Sequence, residues 1–593
     1  MRLLLLGMLV AACASRAPVT PSPPVTAPPP SAAGALTLDQ LEKGKDVHGF
    51  TPMTVYLDAQ DRPLGARFLH VRTGFVFDYL RIESAPQGFL YVTSFPTSDK
   101  GEPHTQEHLL LGKGDRGRKL GSAQSMALVE ASAFTAQWRT VYHFHTVAGN
   151  DVFWQVFENQ LTALLEPDYT DEEIKREVRN FGVDRADDGK LRLEEKGTVY
   201  NEMVRSFENP ASELWRKAGH LVYGTAHPLS YDAGGYPDAI REMTPANIRA
   251  FHLATHHLAN MGMIGAFPAA MELGAVLDRT AGLLDKLAGR KGSVVSETDL
   301  PKPAAAAGGT ISVVEYPHSD AANPGQMMLV WPASRQLPPA ERILLGLFLD
   351  ALAGDETTNL YKQLVDGKTR KIDLGATDVA GSISSEQGQP IYISLGGVRA
   401  DRLEPKTLGE VRTLVLAELE RLSKLPDADP ELAAFTQRLG SRIALARRGL
   451  TKFLDSPPGF GIRGTGDAWI GHLHSLAQVD GFRKSLTMKP ELAQIEKLLA
   501  AGGNPWRERI KRWGLLDPPF VIGARPSPAR RKQLDAERDQ RIAVELKRLQ
   551  HQYQTKDAAT TLAKYQADYD AETTKLELAA KAVALPPWST HHP

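Results

Sequence analysis

The sequence predicts an α+β protein made of two related units and closed by a long helical hairpin, and three observations carry that expectation. Strand-like and helix-like segments alternate from about residue 45 onward. A stretch of Pro, Ala, Gly and Ser over residues 290–308 interrupts the alternation, which then resumes, so the chain divides into two stretches of domain size. From Ser527 to Val583 the residues are almost all Ala, Leu, Lys, Glu, Gln and Arg, which favour helix. With 593 residues, 42% of them hydrophobic, the chain has material for several packed domains.

At the N-terminus, Arg2 precedes the apolar run Leu3 to Val10 and the small pair Ala11-Ala12, the layout of a secretory signal. Val10-Ala11-Ala12-Cys13 also resembles a bacterial lipobox, in which the cysteine is lipidated. An ordinary signal peptide with an incidental cysteine is the other reading; the lipobox is favoured because the single cysteine falls at the required place. Residues 1–13 are therefore expected to be a lipoprotein-type signal, and residues 14–40 a Pro/Ala-rich linker that cannot bury a core. Ala14 lacks the aspartate that retains many lipoproteins at the inner membrane. The expectation is an outer-membrane tether with the body in the periplasm or outside the cell.

In the first unit, residues 41–290, Phe68 to Leu80 and Phe89 to Phe95 are rich in aromatic and β-branched residues and suit a strand pair. A short helix is expected after Pro96-Thr97-Ser98-Asp99. Val152 to Leu165 has apolar residues at helical spacing, and Thr170 caps a further helix, with an acidic first turn, that should reach about Phe181. Thr244-Pro245 opens another, ending near His257. In the second unit, residues 305–520, the expected strands are Ile311 to Tyr316, Met327 to Trp331 and Ile391 to Val398. The expected helices there are Pro339 to Ala353, Leu360 to Val365 and Lys406 to Leu425. Residues 521–593 read as a helical connector or tail.

Charge and composition narrow the function. Lys plus Arg is 69 and Asp plus Glu is 70, so no global field recruits nucleic acid or an anionic membrane, and no nucleic-acid partner is expected. Beyond the first dozen residues no apolar run approaches the ~18 needed to span a bilayer. Membrane contact is expected only through a lipidated Cys13. One cysteine excludes an intrachain disulfide and a zinc–thiolate site, which leaves metal chemistry to His and carboxylates.

The strongest chemical signal is His104-Thr105-Gln106-Glu107-His108. On a helix, histidines four apart project from one face and can share a tetrahedral zinc, with Glu107 beside them able to hold a water. The order is the inverted form of the zinc-protease motif. A catalytic zinc needs a third protein ligand, commonly a carboxylate from a separate element, and Gly197-Thr198-Val199-Tyr200-Asn201-Glu202-Met203 offers Glu202.

The run from Gly101 to about Ala580 resembles the first half of the pitrilysin/insulysin superfamily of zinc peptidases, in its presequence protease branch. The Gly197 to Met203 segment matches that branch at all but one position, and Gly234-Gly235-Tyr236-Pro237, Met243-Thr244, Phe251-His252 and Asn359-Leu360-Tyr361-Lys362-Gln363-Leu364 follow in the family's order. The resemblance implies two pitrilysin-like α/β sandwich domains, the first catalytic and the second not. It implies Zn²⁺ held by His104, His108 and Glu202, with Glu107 as the base and Glu177 as a supporting catalytic glutamate. It also implies that Ser132, Ala133, Phe134 and Thr135 line an extended peptide substrate.

There are departures. Trp138 replaces an expected Asp, and Arg176-Glu177-Val178-Arg179 keeps only the glutamate of its motif. The family's one-chain peptidases have a second half of similar size, so a second half-length subunit, self-association, or action without an enclosed chamber is expected here. The competing reading is a non-catalytic subunit or peptide-binding scaffold; the intact set of His104, Glu107, His108 and Glu202 favours the zinc endopeptidase. His252 with His256, and His143 with His145, are expected to be structural. The acidic groups Asp187-Asp188 and Glu194-Glu195 read as a solvated loop, and Phe153, Trp154 and Phe157 as core.

Overall fold

A computed structural model describes residues 36–126, 128–332, 337–385, 388–455 and 466–583. Cys13 and most of the 14–40 linker lie outside the described residues. In the first unit the strands are β1 (Phe50–Leu57), β2 (Pro63–His70), β3 (Val76–Arg81), β4 (Gln87–Thr93), β5 (Glu130–Thr135), β6 (Arg139–His145), β7 (Asn180–Arg185), β8 (Leu191–Lys196) and β9 (Met261–Phe267). The helices are α1 (Glu102–Gly112), α2 (Gly114–Ser125), α3 (Asn150–Leu165), α4 (Asp171–Val178), α5 (Thr198–Ser206), α6 (Pro210–Tyr223), α7 (Pro237–Ile240), α8 (Pro245–Thr255) and α9 (Leu273–Lys286). The second unit contributes β10 (Ile311–Pro317), β11 (Gly325–Trp331), β12 (Asp378–Ile383), β13 (Ile391–Val398), β14 (Arg483–Ser485) and β15 (Phe520–Ser527).

These strands form an eight-stranded sheet in the order β14-β1-β2-β3-β9-β4-β6-β5, a five-stranded sheet in the order β10-β15-β11-β13-β12, and the separate hairpin β7-β8. The α+β class expected from the sequence is what the structure has. Phe68 to Leu80 spans the end of β2, a turn at Gly74 and most of β3, paired antiparallel from Gly65↔Leu80 to Leu69↔Val76. β6 and β9 are buried at every position, as strands covered on both faces are. Phe153 and Phe157 of α3 pack on Phe144 of β6 in the core of this sheet.

The two sheets are not independent. β14, far along the chain, pairs parallel to β1 at the edge of the first sheet. α6, from the first unit, covers the second sheet, with Leu214, Leu221 and Val222 packed among Met328, Val330 and Ile522. The C-terminal region forms the expected hairpin, Pro528–Tyr553 and Ala558–Lys581, turning at Gln554 in the left-handed conformation. Among the described residues no helix is long and apolar enough to cross a membrane.

Several expectations are corrected. The short helix expected after Asp99 is α1, and a second helix the sequence reading did not separate, α2, follows it after Lys113. The helix capped by Thr170 does form, with Thr170 Oγ1 accepting from Glu173 N at 3.2 Å and Glu173 Oε2 accepting from Thr170 N at 2.8 Å. It stops at Val178 rather than Phe181, because Arg179 is extended and Asn180 opens β7. Glu195 is not part of a solvated loop: it sits on β8 and is buried. The sequence reading also misses the 26-residue helix Pro430–Asp455.

His252, on α8, and His256, just past its end, are buried, and neither belongs to a group of potential metal ligands among the described residues. His252 Nε2 donates to the Leu164 carbonyl at 2.8 Å, and its ring stacks on that of His256 at 4.6 Å. Burial lowers both, His252 to about 4 and His256 well below its ordinary value, with the Arg290 guanidinium adding to the effect. A histidine that is neutral when folded and protonates when unfolded stabilises the fold above its ordinary value of ~6.5 and loses that contribution as pH falls toward its folded value. Urea unfolding as a function of pH should therefore show stability falling from about pH 6.5 to 4, and a His252→Gln variant should lose less over that window.

Candidate metal centre

α1 carries both histidines, and its start is fixed by a close approach of backbones. Gly101 has φ 77°, and a Cβ there would lie 2.5 Å from the Gly234 carbonyl oxygen and 2.7 Å from the Gly235 Cα. Only glycine fits. The same Gly234 carbonyl lies 3.2 Å from His104 Nδ1. A carbonyl can only accept, so His104 Nδ1 carries the proton and Nε2 keeps its lone pair.

His108 is oriented in the same way by a carboxylate. Its Nδ1 lies 2.8 Å from Glu177 Oε1, and Lys113 Nζ lies 2.9 Å from Glu177 Oε2. Burial opposes ionisation of Glu177, but the hydrogen bond from His108 and the Lys113 ammonium outweigh it and bring the carboxyl down to about 2. Ionised Glu177 accepts the Nδ1 proton, which turns the other nitrogen of His108 toward His104. The two Nε2 atoms are 3.1 Å apart.

Glu202, on α5, closes the group. Its Oε2 is 3.7 Å from His104 Nε2 and 3.6 Å from His108 Nε2. Ligands ~2.0–2.2 Å from a tetrahedral zinc stand roughly 3.3–3.6 Å from one another, so this donor set fits that ion. Two imidazole lone pairs facing each other repel unless a cation or a proton lies between them. Burial would lower His108, yet the hydrogen bond to Glu177 and the charges of Glu107 and Glu202 raise it above its ordinary value, so a proton competes for that place. Among the described residues, His104, His108 and Glu202 form the one cluster of potential ligands whose donor atoms all lie within 4.8 Å of one another.

Glu107 faces the cluster from the turn between the histidines and is buried. Burial pushes its carboxyl up, against the pull of His104, a hydrogen bond from Thr135 and His108. That hydrogen bond, Thr135 Oγ1 to Glu107 Oε2 at 2.6 Å, ties the base candidate to β5. β5 is the last strand of its sheet and, among the described residues, pairs with β6 alone, while its Ala131 carbonyl accepts from Gln124 Nε2 at 2.9 Å. Of the four residues expected to line substrate, Ala133 is in the core and Thr135 holds Glu107, while Ser132 and Phe134 alternate to the other face. Trp138 follows the strand and packs on His474 of the second unit, with ring centroids 4.6 Å apart.

The helices of the two acids meet at another glycine. Gly197, the N-cap of α5, has φ 133°, and a Cβ there would overlap the Val178 carbonyl and lie 2.7 Å from the Arg179 Cα, at the end of α4. The structure thus brings together His104, Glu107, His108, Glu177, Glu202 and Thr135. Sequence reasoning misses Lys113, the Gly234 carbonyl and the Thr135 contact to Glu107. None of these has a local signal, although the glycine pair at 234–235 marks a close backbone approach.

No family model matches the chain. In sequence it is similar to the mitochondrial presequence protease of Debaryomyces hansenii, 25% identical over 234 residues that cover 38% of this chain and 21% of that protein. In structure it is similar to a protease from Helicobacter pylori, with a TM-score of 0.56 and 13% identity over 80% of this chain and 99% of that one. It is similar also to pitrilysin, with a TM-score of 0.51 and 12% identity over 82% of this chain and 47% of that one. The fold is that of the pitrilysin-like peptidases. A pitrilysin-like inactive domain from Pseudomonas fluorescens has the same architecture, with a TM-score of 0.51 and 14% identity over 81% of this chain and 98% of that one. The chain spans about a fifth of the length of the curated relatives it matches. The expected resemblance, to the superfamily and to part of its longer chains, is borne out.

The junction at Gly197 is testable. Gly197→Ala should cost about 2–3 kcal/mol of unfolding free energy in urea titrations, because the new Cβ must displace the end of α4 from a conformation unfavourable to L residues.

Proposed function

We infer that the chain is a zinc-dependent endopeptidase that cleaves unstructured peptides or oligopeptides, with His104, His108 and Glu202 as ligands and Glu107 as the base. The observation that carries this reading is the convergence of two imidazole nitrogens and a carboxylate oxygen beside a buried glutamate. Zinc supplies Lewis acidity, polarising a carbonyl and acidifying water near neutral pH. Glu107 takes a proton from the attacking water and delivers it to the leaving amine, a role suited to a carboxyl raised by burial. Glu177 keeps His108 in the tautomer that presents Nε2, and the Gly234 carbonyl does the same for His104.

The position of β5 at the edge of its sheet supports strand addition by an extended peptide. Backbone pairing holds such a substrate, so selectivity for side chains is loose. Folded proteins are poor substrates because their backbone groups are already paired. A second half-length subunit, or a second copy of this chain, completes a chamber over that edge; the match to only 47% of the pitrilysin chain supports this. The sequence around Cys13 supports a lipid tether to a bacterial membrane, the outer one favoured, with the body in the periplasm or outside the cell. The likeness to an inactive domain favours a second reading, a non-catalytic subunit or peptide-binding scaffold.

Zinc content and cleavage of a fluorogenic peptide separate the two. Glu107→Gln should keep its zinc and lose roughly 10²–10⁴-fold in cleavage rate, while Glu202→Gln should bind zinc more weakly. Activity unaffected by both substitutions overturns the peptidase reading, and stoichiometric zinc without cleavage favours the scaffold or an absent half. A chelator should abolish cleavage by the wild type, and added Zn²⁺ should restore it. Because a proton competes at His108, zinc affinity should also weaken as pH falls below neutrality, which competition titrations over a pH series would register.

A further inference from the structure

The terminal hairpin touches both helices that carry acids of the candidate centre. On α4, Arg176 is the neighbour of Glu177. Its guanidinium donates to Thr573 Oγ1 at 2.7 Å and to the Tyr569 carbonyl at 3.2 Å, and lies 4.1 Å over the Tyr569 ring. On α5, Tyr200 stands two residues before Glu202. Its hydroxyl donates to Glu195 Oε2 at 3.2 Å and accepts from Arg541 Nη2 at 3.4 Å and Arg241 Nη1 at 3.3 Å.

Glu195 is the hub of this contact. Its side chain is 3% exposed and takes two parallel hydrogen bonds from Arg541, Nε to Oε1 and Nη2 to Oε2, both 2.9 Å. Arg179, at the end of α4, donates to the same carboxylate. Leu193 of β8, two residues before Glu195, packs with Leu549 and Leu562 of the hairpin. A carboxylate so enclosed is costly to leave with one cation fewer, so Arg541 is held firmly and holds in return. Glu202, by contrast, has a side chain 57% exposed, and its reach to the imidazoles depends on where α5 lies.

We propose that the terminal hairpin is a positioning element for the metal centre. Arg541, through Glu195 and Tyr200, holds α5 where Glu202 meets the same point as His104 and His108. Arg541 touches none of the reacting groups; it is a positioning residue brought from the far end of the chain. The inference rests on the reading of this cluster as a zinc site.

The test is zinc affinity of the full chain, measured by competition with a chromophoric chelator and accompanied by the absorption spectrum of the Co²⁺-substituted protein. Arg541→Ala should weaken zinc binding roughly tenfold and alter the Co²⁺ bands, and Arg541→Lys should recover part of the loss. Arg548→Ala, in an exposed arginine of the same helix paired with Glu545, should leave both unchanged. In a Glu202→Gln background Arg541→Ala should add nothing, because the path ends at Glu202. Wild-type affinity and spectrum in Arg541→Ala, or an equal loss in the Glu202→Gln background, overturns the proposal. Should Arg541→Ala fail to fold, Tyr200→Phe removes only the linking hydroxyl and should weaken binding a few-fold with Glu202 present and not at all with Gln in its place; unchanged affinity in Tyr200→Phe overturns it equally. A wild type that takes up neither Zn²⁺ nor Co²⁺ is a different failure, that of the metal reading itself.

Discussion

Two imidazole nitrogens 3.1 Å apart, each with its lone pair turned inward, are the constraint on which the rest of the centre depends. Neither histidine would hold that orientation alone. A carbonyl behind His104 and an ionised carboxylate behind His108 each take the Nδ1 proton, and that leaves both Nε2 atoms as acceptors with no donor between them. The unfavourable meeting of lone pairs is stable only with a positive charge in the gap. Glu202, on α5, brings a carboxylate oxygen within 3.6–3.7 Å of both Nε2 atoms, and the three together are a group that could hold a metal ion.

Holding that arrangement requires four backbone segments to approach more closely than side chains permit. Gly101 against Gly234–Gly235 sets the start of α1, and Gly197 against the end of α4 sets the start of α5. The first joins the helix bearing His104 to the carbonyl behind it, and the second joins the helix bearing Glu202 to the end of the helix bearing Glu177, the support of His108. Around them lies a scaffold of ordinary means: a sheet with β6 and β9 buried along their whole length, a capping box on α4, and an apolar seam between the β7-β8 hairpin and the terminal helices. β5, the edge strand of its sheet, and the buried Glu107 are joined by the Thr135 hydroxyl.

Glu195 shows how sequence reading fails in a specific way. Beside Glu194 and close to Asp187-Asp188, it looks like one acid among several on a solvated turn. Its partner Arg541 is 346 positions away, and no local pattern indicates the pairing. The end of α4 fails for a similar reason: the helical pattern continues past Val178, but β7 competes for the chain through its pairing with β8. The join of β14 to β1 and the covering of the second sheet by α6 are likewise long-range, and both tie together units that read as separate in the sequence.

What the sequence determined by itself is what local chemistry and short periods encode. These are the α+β class, the helices with clear caps and apolar stripes, the terminal hairpin, the lone cysteine's exclusion of thiolate metal sites, and two histidines with a glutamate on one helical face. The tertiary structure alone decided which tautomer each histidine adopts, where the edge strand β5 lies relative to Glu107, and that an arginine of the last hairpin reaches the hub beside α5. The division has a physical reason. Helix spacing fixes neighbours within one turn, whereas a site made from α1, α4, α5, β5 and the loop at 234–235 depends on contacts whose partners are set only when the core has packed.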